Sequence, residues 1–407
     1  MTTDGAARLP GGVWALGFTS LLMDASSELV HSLLPVFLTT ALGASMTTVG
    51  ALEGTAAATA AVTKVFSGAL SDRLRRRKRL VVLGYALGAA TKPVFPLAPS
   101  VSWVFGARFV DRVGKGIRGA PRDALVADLT PSTAHGAAYG LRQSLDTVGA
   151  VVGPLLAMVL MALLADDIRA VLWGAVVPGM LSVLLLVVGV SEPERTGPPG
   201  ASATHSPGDL GRLPARYWMV VALGGVLALA RFSEAFLVLR AGNLGLAAGR
   251  IPLVLVAMNV VYACAAYPAG VAADRVSRRA LLGLGLGALV AADLVLAAST
   301  SLGAVFAGVA LWGIHMGLTE GLLATLVAAT APPELRGTAF GVFNLATGVA
   351  LLPASVVAGV LWSRFGPAAT FLAGASFTFV ALAGLVALPP GRPSAAVSGP
   401  RIPSGGP

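Results

Sequence analysis

The stretch WVFGARFVDRVGKGIRGAPRDA, residues 103–124, carries Arg108, Asp111, Arg112, Lys115, Arg118, Arg122 and Asp123 in otherwise apolar surroundings. Residues 108, 111, 112, 115, 118, 119 and 122 recur at i, i+3, i+4 and i+7, which puts them on one face of a helix. Phe109, Val110, Val113, Ile117 and Leu125 cover the other faces. A charge at the centre of a membrane helix costs roughly 2.5–3.5 kcal/mol on insertion scales. Such a stripe must therefore face a bundle interior or a water-filled cavity. There its cations can pair with carboxylates, yield a carboxylate to a proton, or bind an anionic solute.

Other residues with chemical potential are scattered. Arg231 and Glu234 stand at i, i+3, and Asp293 and Glu320 follow in apolar spans. His315 beside Met316 suggests a soft metal site but fits a packed or hydrogen-bonded histidine better. Asn259 and Tyr262 could donate to a substrate or bridge helices. The four histidines, at 31, 135, 205 and 315, show no metal-ligand spacing, and no nucleophile stands with a base, so neither a catalytic site nor a metal centre is expected. No GxxxxGK[ST] loop occurs, so neither nucleotide hydrolysis nor any cofactor is implied.

The elements that must position these residues follow from composition. Of 407 residues, 56% are hydrophobic and 12% charged, with a mean hydropathy of +0.80; soluble domains carry roughly 25% charge. Apolar windows near 12–42, 46–70, 80–98, 101–129, 137–163, 169–190, 216–240, 251–273, 280–299, 302–330, 337–362 and 367–388 predict twelve membrane-spanning helices in an all-α protein. They divide into a six-helix bundle over 1–190, a Pro/Gly/Ser-rich cytoplasmic linker over 191–215, a second bundle over 216–388 and a disordered tail over 389–407. The first span is too long for a cleaved signal peptide and is interrupted by Asp24 and Glu28. Cys264, the one cysteine, reads as a small buried residue.

The net charge of +10 does not indicate nucleic acid, because it is concentrated in alternate short loops. Those loops hold Arg73–Arg79, Arg122, Arg195, Arg212, Arg216, Arg275, Arg278, Arg279 and Arg336, while loops near 43–46, 99–101 and 299–302 hold no Lys or Arg. Positive charge stays inside, so both termini are expected in the cytoplasm, with Arg240, Arg250 and Arg364 as outward exceptions.

With that orientation, about 1.5 Å per residue through a core of about 30 Å puts Arg108 in the outer third and Arg112 near the midplane. Asp24 falls near the midplane, with Glu28 and His31 further out; Asp146 falls near the midplane and Arg142 level with Lys115. Asp24, Glu28, Asp111 and Asp146 then face Arg108, Arg112, Lys115 and Arg142, and Arg112 is expected to pair with Asp146. One reading is a neutral structural network. The other has Asp24 or Glu28 exchanging Arg108 for a proton, which leaves Arg112 and Lys115 for a polar or anionic substrate.

The halves echo each other. SGALSDRLRRRKRL aligns with AGVAADRVSRRALL, setting Gly68, Asp72 and Arg73 against Gly270, Asp274 and Arg275, and GAAYGL at 136–141 matches GTAFGV at 337–342. Over nearly its whole length the chain resembles the major facilitator superfamily. GALSDRLRRRKRL is similar to that family's loop motif between helices 2 and 3. Arg108, Gly114 and Gly116 resemble its helix 4 motif, and GAVVGPLLA, with Gly149, Gly153 and Pro154, resembles a helix 5 motif of proton-coupled exporters. Arg112, Lys115 and Arg118 depart from the helix 4 pattern, where small or apolar residues are usual. DRVGKGIRGAPRDALVAD is similar to a block of a widespread bacterial subgroup.

The resemblance implies alternating access by a monomer in the bacterial cytoplasmic membrane, with a small-molecule substrate, protons and the lipid bilayer as its partners. The helix 5 motif implies efflux by an antiporter, and proton coupling is implied because related exporters often pair helix 1 acids with the helix 4 arginine. Asp72, Arg73, Asp274 and Arg275 would form gates where helices end at the interface. Asp24, Glu28 and Arg108 would couple protons. His31, Asp111, Arg112, Lys115, Arg142, Asp146, Arg231, Glu234, Asn259, Tyr262, His315 and Glu320 would meet substrate. The alternative is uptake, or export of a metal ion or chelate through Asp24, Glu28 and His31.

Overall fold

Apolar runs of this length enter a bilayer only with every backbone group satisfied internally, which favours helices. The computed structural model describes residues 9–73, 77–131, 134–192, 207–272, 276–332 and 335–387, and all regular structure in them is helical. Most of the linker and the tail beyond 387 lie outside the described residues. The first half comprises α1 (Gly11–Val36), α2 (Met46–Arg73), α3 (Arg77–Thr91), α4 (Val94–Leu97), α5 (Val101–Leu129), α6 (His135–Leu163), α7 (Ile168–Trp173) and α8 (Val176–Gly189). The second comprises α9 (Ala215–Ala230), α10 (Ala235–Asn243), α11 (Leu253–Ala272), α12 (Arg278–Ala298), α13 (Leu302–Thr330), α14 (Arg336–Phe365) and α15 (Pro367–Ala387).

These form twelve spanning elements, because α3–α4, α7–α8 and α9–α10 are interrupted spans. Among the described residues, nine helical segments are long and apolar enough to cross a membrane. The other three are α2, which carries Glu53 and Lys64, α5, which carries the charged stripe, and α15, whose apolar part, Pro367–Ala383, is shorter. Phe66, Leu163, Val188, Phe365 and Val380 project from the outside of the bundle, as residues that meet hydrocarbon do. Cys264 is also exposed on α11, a correction to its expected burial; its small side chain costs little on an outward face.

The repeat read from sequence reappears in the packing. In the first half α1 packs on α6 and α8, α5 on α2 and α3, and α3 on α8. In the second, α9 packs on α14 and α15, α13 on α11 and α12, and α12 on α15. Each pairing has its counterpart six spans later.

The halves meet chiefly along α2 and α14, with shorter contacts of α6 with α11 and α1 with α10. Glycine makes the α2–α14 approach possible. A Cβ on Gly54 would lie 2.8 Å from the Leu352 backbone, and one on Gly50 would overlap the Ser355 carbonyl oxygen.

At the end holding the α1–α2 turn, one continuous apolar core joins both halves and includes Leu29, Phe37, Leu52, Val104, Phe236, Trp312, Trp362 and Phe371. Within it the Phe232 ring packs 5.5 Å from Phe236 and 5.6 Å from both Trp312 and Phe371. At the opposite end, where α8 closes and α9 begins, the core is divided. Val13, Leu16, Val81 and Tyr85 cluster in the first half. Tyr217, Val327 and Phe343, and separately Leu227, Leu281 and Leu286, cluster in the second. The halves are joined at one end and apart at the other. Arg240, at the joined end, is buried against the close of α12, donating to the Leu296 carbonyl oxygen at 3.2 Å and to Ser299 Oγ at 3.0 Å. That local use accounts for one of the three basic residues that sequence reading put outside as exceptions.

Candidate functional site

The stripe on α5 divides into two levels. Toward the joined end, Arg108 Nη2 lies 3.1 Å from Glu53 Oε2 on α2. His31 Nε2 stands 3.6 Å from the same carboxylate, and its Nδ1 is 3.2 Å from Glu28. Glu28, His31, Glu53 and Arg108 thus form a chain tying α1, α2 and α5. Asp111, 2% exposed, accepts from Lys92 Nζ at 2.9 Å and pairs with Arg112 at 3.0 Å. Lys92, in the α3–α4 interruption, also donates to Ser27 Oγ at 3.0 Å. The expected pairing of Arg108 with Asp24 or Glu28 is corrected. α5 packs along α2 and α3 and only sparsely on α1, so the nearest carboxylate belongs to α2.

Toward the divided end, Arg118 lies over the Tyr85 ring at 4.6 Å and reaches Asp24 at 3.9 Å. Arg122 donates to Ser20 Oγ at 2.8 Å and approaches Asp146 at 3.6 Å. Arg142 pairs with Asp146 at 3.0 Å and with Asp123 at 3.4 Å. The expected Arg112–Asp146 pair does not form. Asp146 is level with Arg122, ten residues and so about 15 Å along α5 from Arg112. Depth estimates from window ends could not resolve that offset.

The helix 5 glycines set how the acids of α1 sit. A Cβ on Gly149 would lie 2.6 Å from the Leu21 carbonyl oxygen and 3.1 Å from Asp24, and one on Gly153 would lie 2.9 Å from Glu28. α6 is therefore pressed against α1 at its two carboxylates.

Two cations are left over. Lys64 on α2 and Lys115 on α5 are exposed to a cavity and make no hydrogen bond or ion pair among the described residues. The Lys64 stem lies along Gly119, its Cε 3.6 Å from where a Cβ would stand, with its ammonium group beyond. The cavity, about 410 Å³, is lined by Lys64, Lys115, Arg118, Arg122 and Arg142 against Asp24, Asp123 and Asp146, five cations to three carboxylates.

The second half has its own cavity of about 330 Å³, lined in part by Arg231, His315 and Glu320. Arg231 is freed from helical geometry by the α9–α10 interruption and pairs with Glu320 at 3.0 Å, with Tyr262 beside them. Glu234, at the other edge of the interruption, faces His31 and Glu28 across the halves. His315 is buried, its Nδ1 2.8 Å from the Gly285 carbonyl oxygen, and belongs to the wall rather than to a metal centre. Among the described residues no group of three or more His, Cys, Asp or Glu residues could hold a metal. Asn259 is half-buried on α11. Asp72 and Arg73 end α2, but their side chains, like all of Asp274 and Arg275, lie outside the described residues.

Sequence reasoning missed Glu53, Lys64, Lys92 and Asn344. The first two had a signal: they are eleven residues apart, three helical turns, on one face of an apolar span. Lys92 is likewise an ionisable residue closing an apolar window, which by default marks function or a buried pair. Asn344 carries no such signal.

A sequence profile described as the Major Facilitator Superfamily matches residues 16–241 and 221–405. An uncharacterized MFS-type transporter of Methanocaldococcus jannaschii is 31% identical over 381 residues, covering 92% of this chain and 94% of that one. Among solved structures, a mutant of the nucleoside transporter NupG superposes with a TM-score of 0.79 at 11% identity, covering 92% of this chain and 99% of its own. A bacterial homolog of the human lysosomal transporter Spinster, inward-facing and occupied, superposes with a TM-score of 0.77 at 18% identity, covering 92% and 95%.

Proposed function

Because the chain belongs to the Major Facilitator Superfamily, and is thus a membrane transporter rather than an enzyme, we propose that it carries a small anionic solute by alternating access. The observation that carries this reading is a cavity with more cations than carboxylates, in which Lys64 and Lys115 form no hydrogen bond or ion pair among the described residues. An excess of cations lining a water-filled cavity favours entry of a solute of opposite charge. The positive loops favour cytoplasmic termini and a cytoplasmic linker, so the divided end faces the cytoplasm and this conformation is inward-open. The Spinster homolog's inward-facing state supports the same assignment.

Export coupled to proton entry is the direction proposed, on the helix 5 glycines packed against the acids of α1. Asp24 is the proton-exchanging carboxylate: it lines the cavity, and its paired cation is Arg118, at 3.9 Å, in place of Arg108. Glu28, held by His31, is the second. The test is reconstitution in liposomes holding a trapped pH dye, with benzenesulfonate added as a permanently charged probe. Exchange of entering anion for leaving protons raises the internal pH. A fall means cotransport and refutes the antiport reading; no anion movement refutes the anion reading.

A further inference from the structure

We infer that the solute is an amphiphilic organic anion, its charged head held between Lys64 and Lys115 and its apolar body seated in the second-half cavity. This rests on the anion reading above and adds the body. The two cavities share Asn344 as a lining residue, and they differ in what they leave unsatisfied. On the first-half side two ammonium groups form no hydrogen bond or ion pair among the described residues. On the second-half side most of the polar groups are engaged: Arg231 pairs with Glu320 at 3.0 Å, Thr319 Oγ1 donates to the His315 carbonyl oxygen at 2.8 Å, and Thr347 Oγ1 donates to the Phe343 carbonyl oxygen at 2.9 Å. Besides Asn344 and the second ring nitrogen of His315, what that cavity offers a ligand is the apolar wall of Leu227, Leu323, Phe340, Phe343 and Leu351.

A compact inorganic anion would satisfy the lysines and leave this apolar wall wet. A wholly apolar solute would fill the wall and strip water from two unpaired cations. Only a molecule with both parts matches both surfaces. At about 410 and 330 Å³ the two chambers each fall within the roughly 300–1,000 Å³ of small-molecule sites. Asn344, whose side-chain amide makes no hydrogen bond among the described residues, stands where head and body would join and can bond to a polar link between them.

The experiment compares two permanent anions that share a head. Purified protein in lipid nanodiscs is dialysed to equilibrium with labelled benzenesulfonate, and methanesulfonate is used as competitor. Methanesulfonate, which lacks the ring, is expected to bind at least ten-fold more weakly. Lys64→Ala and Lys115→Ala should weaken both anions alike. Phe340→Ala should narrow the gap between them, and Leu323→Trp, which fills the apolar chamber without emptying the core, should abolish the benzenesulfonate advantage while sparing methanesulfonate. Equal affinity for the two anions, unchanged in Leu323→Trp, overturns the amphiphile inference and leaves the anion reading standing. Binding that ignores both lysine substitutions, or no binding of either anion, overturns the anion reading as well.

Discussion

Arg108 on α5 and Glu53 on α2 meet at 3.1 Å with side chains only 4% and 6% exposed, so each is the other's replacement for water. Removing one partner strands a buried charge, typically at a cost of about 3–5 kcal/mol. Glu53→Ala and Arg108→Ala should each lower folded yield and melting temperature, and the double variant should lose less than the sum. Thermal unfolding of the three purified variants checks this; strictly additive losses would show that the pair contributes nothing.

Asp146 should be energetically coupled to Arg142, at 3.0 Å, and not to Arg112. Residues in one ion-pair network show interaction energies of about 0.5–3 kcal/mol, whereas distant sites add within roughly 0.3–0.5 kcal/mol. Double-mutant cycles on stability, one for each arginine with Asp146→Ala, should separate the two. Coupling to Arg112 of the same size as to Arg142 would contradict the arrangement.

Two buried-span lysines should behave oppositely. Lys92 is 1% exposed and bonded to Asp111 and Ser27, so Lys92→Ala should collapse folded yield. Lys115 is exposed and forms no hydrogen bond or ion pair among the described residues, so Lys115→Ala should fold at near wild-type yield and lose at least ten-fold in anion transport. Chromatographic yield and liposome flux measured side by side decide it, and a Lys115 variant that folds and transports normally counts against the site.

Asp24→Asn cannot release a proton and should abolish accumulation driven by a pH gradient while preserving anion-for-anion exchange. Flux with and without an imposed gradient reads the difference. Gradient-driven accumulation with wild-type pH dependence in both Asp24→Asn and Glu28→Gln would remove α1 from the coupling step.

Along the α2–α14 seam, Gly54→Val should sharply reduce folded yield, because its side chain would enter the Leu352 backbone. Gly287→Val on α12 has nothing within 4 Å of the added Cβ and should be tolerated. Expression and melting temperature of the two variants give the comparison.

The twelve spans and the pseudo-repeat were legible because each follows from apolar run length and local similarity, properties carried by neighbouring residues. The inward-facing nature of the α5 stripe was legible for the same reason. Its partners were not. Whether Arg108 meets Glu28 or Glu53 depends on which helix lies against α5, and whether Arg112 or Arg122 reaches Asp146 depends on the relative shift of α5 and α6, about 15 Å over ten residues. Neither quantity is local. Asn344 escaped because a lone amide in an apolar span looks alike whether it bridges helices or faces a cavity.

The apolar core that joins the halves at one end and divides at the other makes temperature a control variable. If access alternates, each cycle opens the joined core to water and closes the divided end, where charged walls offer less hydrocarbon to bury. Hydrating apolar surface raises the heat capacity by about 0.45 cal/K/mol per Å². The two conformations then differ in heat capacity, and their balance follows a curve rather than a straight van't Hoff line. Since apolar burial weakens on cooling, a chilled membrane should hold a larger share of the protein with its joined end open than a warm one does.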